Sequence, residues 1–306
     1  MTEPLPDLGT VRGAVRWAVP VLAQAGCDTP RLDAELLLGH VLGATRTALQ
    51  VRWDEALVPE AARRFTALVR QRAGRVPLAY LTGVRPFYDL SLSVAPGVLV
   101  PRPETELLVD EVLAWCRGQG GRPLRIADVG TGSGAIAVTL AAHLERATVV
   151  ASDLSAEALA VAARNVASQG LVGRISLVRC DLLSALRGPF DVIVANLPYV
   201  PSGRLASLMP EVRDHEPRLA LDGGPTGLDV IARLLPQAAE RLAWPGLVAL
   251  EIDETHGEQA ECLARGQWPG AEVRRVADLA GLDRLVCVTV SPAGAQPSPQ
   301  PEMQAS

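Results

Sequence analysis

The feature that most constrains this chain is a short apolar strand running straight into a glycine-rich turn. Arg125-Ile126-Ala127-Asp128-Val129 is followed by Gly130-Thr131-Gly132-Ser133-Gly134 and then by an apolar helical stretch, Ala135 to His143. Glycine lets the backbone bend sharply and lets a ligand approach with no Cβ in the way. A strand, glycine turn and helix in that order read as the nucleoside-binding start of a parallel sheet. The sequence downstream keeps alternating. Ala147 to Ser152 reads as strand, Ala156 to Ser168 as helix, and Arg174 to Arg179 and Phe190 to Ala195 as strands. Leu228 to Leu242 reads as helix, Leu247 to Ile252 as strand, Glu258 to Arg265 as helix, and Ala271 to Val276 and Leu285 to Val290 as closing strands. This alternation predicts an α/β fold of the Rossmann-like kind with a doubly wound, mostly parallel sheet.

The first hundred residues have another period. Val11 to Ala25 carries apolar residues at helical spacing, and Thr29-Pro30 opens a second helix, Thr as N-cap and Pro in the first turn, that Gly43 stops. A third helix is expected from about Glu60 to Arg72, and the alternation Phe87, Leu90, Leu92, Val94 suits a β-hairpin. The expected division is a helical domain over 1–76, a hairpin linker over 77–100, a catalytic domain over 101–290 and a Pro/Gln/Ser-rich disordered tail over 291–306.

Asp153 ends the second strand of the alternating region, 19 residues beyond Gly134. A carboxylate there can accept hydrogen bonds from both hydroxyls of a ribose. Gly130-x-Gly132-x-x-Ala135 also satisfies the dinucleotide fingerprint, so these two elements alone leave a nicotinamide enzyme open. The fourth strand ends in Ala195-Asn196-Leu197-Pro198-Tyr199, at the same carboxyl edge. That segment resembles the Asn/Asp-Pro-Pro-Tyr motif of methyltransferases that modify amide or amino nitrogens, and a dehydrogenase has no use for it. The cofactor expected is therefore S-adenosylmethionine, held by Gly130, Thr131, Gly132, Ser133, Gly134, Asp153 and Asn196. By the same resemblance Asp181 and Leu182, at the end of the third strand, line the adenine; helix N-capping is the other reading of Asp181.

Asn196, Leu197, Pro198 and Tyr199 are the expected catalytic and substrate-binding group. The Asn196 side-chain oxygen and the Leu197 carbonyl can each accept one N–H of a substrate amide and so aim its nitrogen for in-line displacement. Pro198 holds Leu197 extended, with its carbonyl outward, and Tyr199 can stack on the planar amide. Asn-x-Pro-Tyr is also a plain turn sequence; its place beside the glycine loop favours the chemical reading.

Composition removes other chemistries. All 29 basic residues are arginine, which excludes a P-loop or Schiff-base lysine. The five cysteines form no Cys-x-x-Cys pair and the four histidines no metal-ligand spacing, so reduced thiols and no metal are expected. A net charge of −5 argues against gripping a nucleic acid backbone. The start of the chain lacks a basic segment followed by an apolar run, so a cytoplasmic protein with no membrane association is expected.

Several further segments carry a closer resemblance. Gly97-Val98-Leu99-Val100-Pro101-Arg102-Pro103-Glu104-Thr105-Glu106 is similar to the Pro-Arg-Pro-Glu-Thr-Glu segment of the release factor glutamine N5-methyltransferases. Gly74 to Gly83, Glu216 to Gly224 and Leu250-Glu251-Ile252 also resemble that family, so the similarity spans nearly the whole chain. It implies an N-terminal helical domain that docks peptide chain release factors and a methyltransferase domain that modifies the glutamine of their Gly-Gly-Gln loop. A monomer is expected. Leu197 departs from the family, which usually has Pro there, and Asn-Leu-Pro-Tyr is shared with rRNA adenine dimethyltransferases. An adenine N6-methyltransferase acting on RNA or DNA and a non-catalytic S-adenosylmethionine-binding protein are the alternatives. Glu104 and Glu106 either charge the first turn of the helix after Pro103 or lie near the methyl donor.

Overall fold

The computed structural model describes residues 8–291. The expected tail therefore lies, apart from Ser291, outside the described residues. The described residues form two compact units, one of 8–86, 91–100 and 205–218, the other of 87–90, 101–204 and 219–291. The second boundary set differs from the sequence division in one respect that matters: 205–218, placed by sequence in the 101–290 domain, belongs by its contacts to the first unit.

The first unit is built on α1 (Val11–Gln24), α2 (Pro30–Leu42), α3 (Arg46–Val51), α4 (Pro59–Ala73) and α5 (Leu78–Thr82). Thr10 caps α1 by accepting from the Gly13 amide at 3.1 Å. Thr29 sits at the α2 cap position, but its hydroxyl goes to the Asp33 side chain at 2.7 Å rather than to a backbone amide. Gly43 ends α2 at φ 60°, a left-handed conformation that glycine adopts without strain. Leu22, Leu37, Leu38, Phe65 and Val69 are fully buried between these helices, and Trp17 meets Phe65 edge-on. Strands β1 (Val84–Phe87) and β2 (Leu90–Ser93) form the expected hairpin.

The second unit holds a seven-stranded sheet. Its strands are β3 (Leu124–Val129), β4 (Ala147–Asp153), β5 (Ile175–Arg179), β6 (Phe190–Ala195), β7 (Leu242–Glu251), β8 (Glu272–Ala277) and β9 (Asp283–Val290), in the order β5-β4-β3-β6-β7-β9-β8. The first five are parallel neighbours, and β9 runs antiparallel between β7 and β8. Val192, Ile193, Val194 and Ala195 are all buried, the continuous apolar run of a strand covered on both faces. The covering helices are α6 (Thr105–Arg117), α7 (Ala135–His143) and α8 (Ala156–Ser168), and, after the chain reverses direction across the sheet, α10 (Asp229–Ala239) and α11 (Gly257–Gln267). A short helix α9 (Pro210–His215) lies in the segment that joins the first unit. The helix read from Leu228 to Leu242 is shorter: it ends at Ala239, and Leu242 already begins β7, because its backbone pairs with Phe190.

Candidate active site

Strand β3 is the pivot. The chain proceeds from β3 through β4 to β5 on one side, then returns to place β6 and β7 on the other. Ligands of open α/β sheets bind beyond the carboxyl ends of the strands at such a switch point. In register, Val129 pairs with Ser152 on one side and Ala195 on the other, so the segments that follow all three strands leave the sheet at one level.

The turn after β3 is held by backbone bonds. The Gly130 and Thr131 amides donate to the Ser152 carbonyl at 2.8 and 2.9 Å, and the Gly134 amide donates to the Thr131 carbonyl at 2.8 Å. Gly130, Gly132 and Gly134 all have positive φ (74°, 56° and 82°), which side chains disfavour. Each glycine has its own surroundings. A Cβ on Gly134 would meet Ala162 of α8 at 3.2 Å, one on Gly130 would meet Leu197 Cδ2 at 2.9 Å, and one on Gly132 would point into open space. Beneath the turn, Asp128 is fully buried; its Oδ2 accepts from the Thr131 hydroxyl at 2.5 Å and the Ala137 amide at 3.1 Å. Burial pushes its carboxyl up to about 7 against these bonds.

Asp153 is partly exposed at the end of β4. Its Oδ2 accepts from the Gly132 amide at 2.9 Å and its Oδ1 from the Ser155 amide at 2.8 Å. A carboxylate has about four lone-pair positions, so each oxygen keeps one for a ligand. Asp181 is exposed and pairs with Arg233 of α10, and it opens a turn rather than a helix. Leu182 is buried with φ 53°, and its carbonyl accepts from the Ser152 hydroxyl at 2.9 Å.

After β6, Leu197 is buried over Gly130 while Asn196, Pro198 and Tyr199 are partly exposed. Asn196 Nδ2 donates to the hydroxyl of Thr105, the first residue of α6, at 3.0 Å. The Tyr199 hydroxyl donates to Glu251 Oε1 at 3.3 Å, at the end of β7. The segment Leu221 to Gly227 supports the backbone of this motif: Val200 donates to the Leu221 carbonyl, and Gly223 donates to the Val200 carbonyl. A Cβ on Gly223 would lie 2.7 Å from the Pro198 carbonyl oxygen, so glycine is required for the approach.

Thr105 and Glu251 were not among the site residues read from sequence, although both lie in segments that the sequence singled out. Glu251 is 2% exposed, and burial raises its carboxyl to about 7 although Thr105 and Tyr199 bond to it. Burial also raises the Tyr199 phenol, with the Glu251 charge adding to the effect. Glu106 lies in the first turn of α6, as one of its two readings expected, and its Oε1 also accepts from the Tyr88 amide at 2.9 Å at the hairpin tip.

A family model described as the PrmC N-terminal domain matches residues 13–83, and one described as a methyltransferase domain matches residues 126–215. The release factor glutamine methyltransferase of Moorella thermoacetica is 46% identical over 276 residues, covering 90% of this chain and 96% of its own. That of Bradyrhizobium diazoefficiens is 39% identical over 284 residues, covering 92% and 96%. Among solved structures, a methyltransferase from Pyrococcus furiosus superposes with a TM-score of 0.50 at 18% identity, over 74% of this chain and 98% of its own, a likeness of fold. With two full-length relatives well above the identity at which families separate, and with the glycine turn and the Asn196 segment meeting at one sheet edge, the chain belongs to the release factor glutamine methyltransferases.

Proposed function

We propose that this enzyme transfers a methyl group from S-adenosylmethionine to the side-chain amide nitrogen of the glutamine in the Gly-Gly-Gln loop of peptide chain release factors. The observation that carries the reading is the common level at which β3, β4 and β6 deliver the glycine turn, Asp153 and Asn196-Leu197-Pro198-Tyr199. Gly132 leaves open space where a side chain would stand, and Asp153 keeps an acceptor position on each oxygen, so the residues present fit a nucleoside cofactor. When bound, S-adenosylmethionine supplies an electrophilic methyl group on a sulfonium.

An amide nitrogen is a poor nucleophile because its lone pair is delocalised into the carbonyl. In our reading Asn196 Oδ1 and the Leu197 carbonyl each accept one substrate N–H, which orients the nitrogen and favours the positive charge that develops on it. Tyr199 covers the planar amide. The methylated nitrogen is acidic and passes its proton to water, so no strong base is called for. Gly130, Thr131, Gly132, Ser133 and Gly134 cradle the donor, Asp153 binds its ribose, and Leu182 packs on its adenine. Asp181, which pairs with Arg233, would line the adenine beside Leu182. The enzyme works as a monomer in the cytoplasm, where release factors act, and needs no nucleic acid. Among the described residues no helix is long and apolar enough to cross a membrane.

The test is single-turnover reaction of the purified protein with labelled donor and an intact release factor. One added methyl on the glutamine of Gly-Gly-Gln, located by mass spectrometry, is expected. Label on rRNA adenine, or on nothing, overturns the reading.

A further inference from the structure

The amide of an asparagine can present either its oxygen or its NH2 to a ligand, and the two ends differ little in shape. If Asn196 is to accept a substrate N–H, something must hold it the right way round. Nothing in Asn196-Leu197-Pro198-Tyr199 itself does so. The neighbouring groups do. Thr105 is 4% exposed, and its hydroxyl meets Asn196 Nδ2 at 3.0 Å and the carboxylate of Glu251. A hydroxyl has a single proton to give. When ionised, the Glu251 carboxylate can only accept, so in that form the Thr105 proton goes to Glu251 and the Thr105 oxygen is left as an acceptor facing Asn196. Only the NH2 end of Asn196 can satisfy it.

We propose that Thr105 and Glu251 are positioning residues: Glu251 fixes the Thr105 hydroxyl as its donor, and Thr105 in turn fixes Asn196 with Nδ2 inward and Oδ1 toward the substrate. The proposal rests on the reading of Asn196 as the acceptor of the substrate amide. The same carboxylate receives the Tyr199 hydroxyl at 3.3 Å, so both polar ends of the substrate-binding segment are tied to one buried group. The orientation also sets selectivity by chemistry. An inward Oδ1 would offer the substrate two N–H groups, which repel an amide NH2; the outward Oδ1 accepts from a nitrogen that carries hydrogens. This gives a shared purpose to two segments otherwise distant in sequence, the one around Thr105 and the one around Glu251.

The experiment is a double-mutant cycle read by single-turnover methylation of a release factor with enzyme in excess. Thr105→Val removes the hydroxyl at constant shape and should slow transfer about tenfold to a hundredfold, the effect of an unmet buried polar contact, with donor affinity by calorimetry unchanged. Thr105→Ser keeps the hydroxyl and should restore the rate to within about threefold. In an Asn196→Ala background Thr105→Val should cost nothing further, because a residue that acts through another is silent once that other is gone. A Thr105→Val loss that persists in the Asn196→Ala background overturns the proposal, as does a Thr105→Val enzyme as fast as wild type when Asn196→Ala is slow. An Asn196→Ala enzyme as fast as wild type instead overturns the underlying reading of Asn196. Should Thr105→Val fail to fold, Thr105→Ala and Thr105→Ser carry the test: Ala removes the hydroxyl and should slow transfer at least about tenfold at unchanged donor affinity, Ser keeps it and should stay within about threefold of wild type. An Ala variant as fast as the Ser variant overturns the proposal.

Discussion

At the residue scale, Leu197 stands where the Asn/Asp-Pro-Pro-Tyr motif that this segment resembles has Pro, and the surroundings of its side chain show what it packs against. The side chain is 4% exposed, and its Cδ2 lies 2.9 Å from where a Cβ on Gly130 would be. It therefore packs the floor of the glycine turn, while the carbonyl, which Pro would equally provide, is the part proposed to meet substrate. Leu197→Pro should retain transfer within about tenfold and lose about 1–2 kcal/mol of stability from the smaller side chain. Gly130→Ala should do worse on both counts, because φ 74° and the Leu197 contact oppose the added methyl together. Parallel assays and denaturant titrations of the two variants check this; equal behaviour would mean that the contact is slack. Glu251 makes a separate prediction about pH. Its carboxyl titrates near 4.5 when unfolded and is raised to about 7 in the folded protein, with desolvation the main cause. Between these values the unfolded chain has released the proton that the folded chain keeps. Stability from this group is thus fully present below about 4.5, falls as pH rises to about 7, and is flat above, for a total of about 3 kcal/mol. Glu251→Gln should remove that slope, so the variant gains on wild type between pH 5 and pH 8 in urea unfolding. Parallel curves for the two proteins would exclude a buried, titrating Glu251.

At the scale of elements, what sequence could reveal depended on whether an element carries its own punctuation. Strands β3, β4 and β6 and helices α7 and α8 are bounded by glycine turns, a Ser155 cap and unbroken apolar runs, and they fall where those signals place them. The candidate site residues could be named from sequence for the same reason: each lies at or just beyond a strand end. Helices α3 and α9 were not legible. Each has six residues, too few to show a period, and α9 owes its place to distant partners. Arg72 of α4 donates to Asp33 of α2 at 2.7 Å and to Glu211 of α9 at 2.9 Å, and Arg75 reaches the other oxygen of Glu211 at 2.5 Å. Arg72 and Glu211 are 139 residues apart in the chain, beyond any local pattern. Burial pushes the Glu211 carboxyl up, but the bonds from Arg75 and Arg72 outweigh it and hold the pKa below the usual range. Thr105 and Glu251 escaped for a related reason, since their importance lies in meeting each other across helix and sheet. For the buried cluster, removing one partner leaves a charge without compensation. Arg72→Met should therefore destabilise the first unit by about 3–5 kcal/mol, seen as lost hydrogen-exchange protection in both α2 and α9. Loss confined to α4 would show that the ion pairs do not hold 205–218.

At the scale of the whole molecule, the two units divide the work differently from a chain cut once. Every residue assigned to donor binding, from Gly130 to Leu182, and the group Asn196, Tyr199, Thr105 and Glu251 lie in the second unit. The first unit owns 205–218, which begins six residues beyond Tyr199. A fragment starting at Pro101 therefore keeps the whole chemical site but strips Glu211 of Arg72 and Arg75, and a carboxylate buried for that pairing must then find water. Three consequences separate docking from chemistry. The fragment should bind S-adenosylmethionine within about threefold of the full chain, less than 1 kcal/mol. It should still methylate a short Gly-Gly-Gln peptide slowly, since the groups that orient the amide remain. It should fail on an intact release factor, because the helical unit that is proposed to dock it is gone, and limited proteolysis should now cut within 205–218. Calorimetry, mass spectrometry of both substrates and the proteolytic map read these outcomes independently. A fragment that methylates the intact factor as fast as the full chain would remove the docking role from the helical unit. A fragment that binds no donor would show that the second unit depends on the first for the shape of its glycine turn.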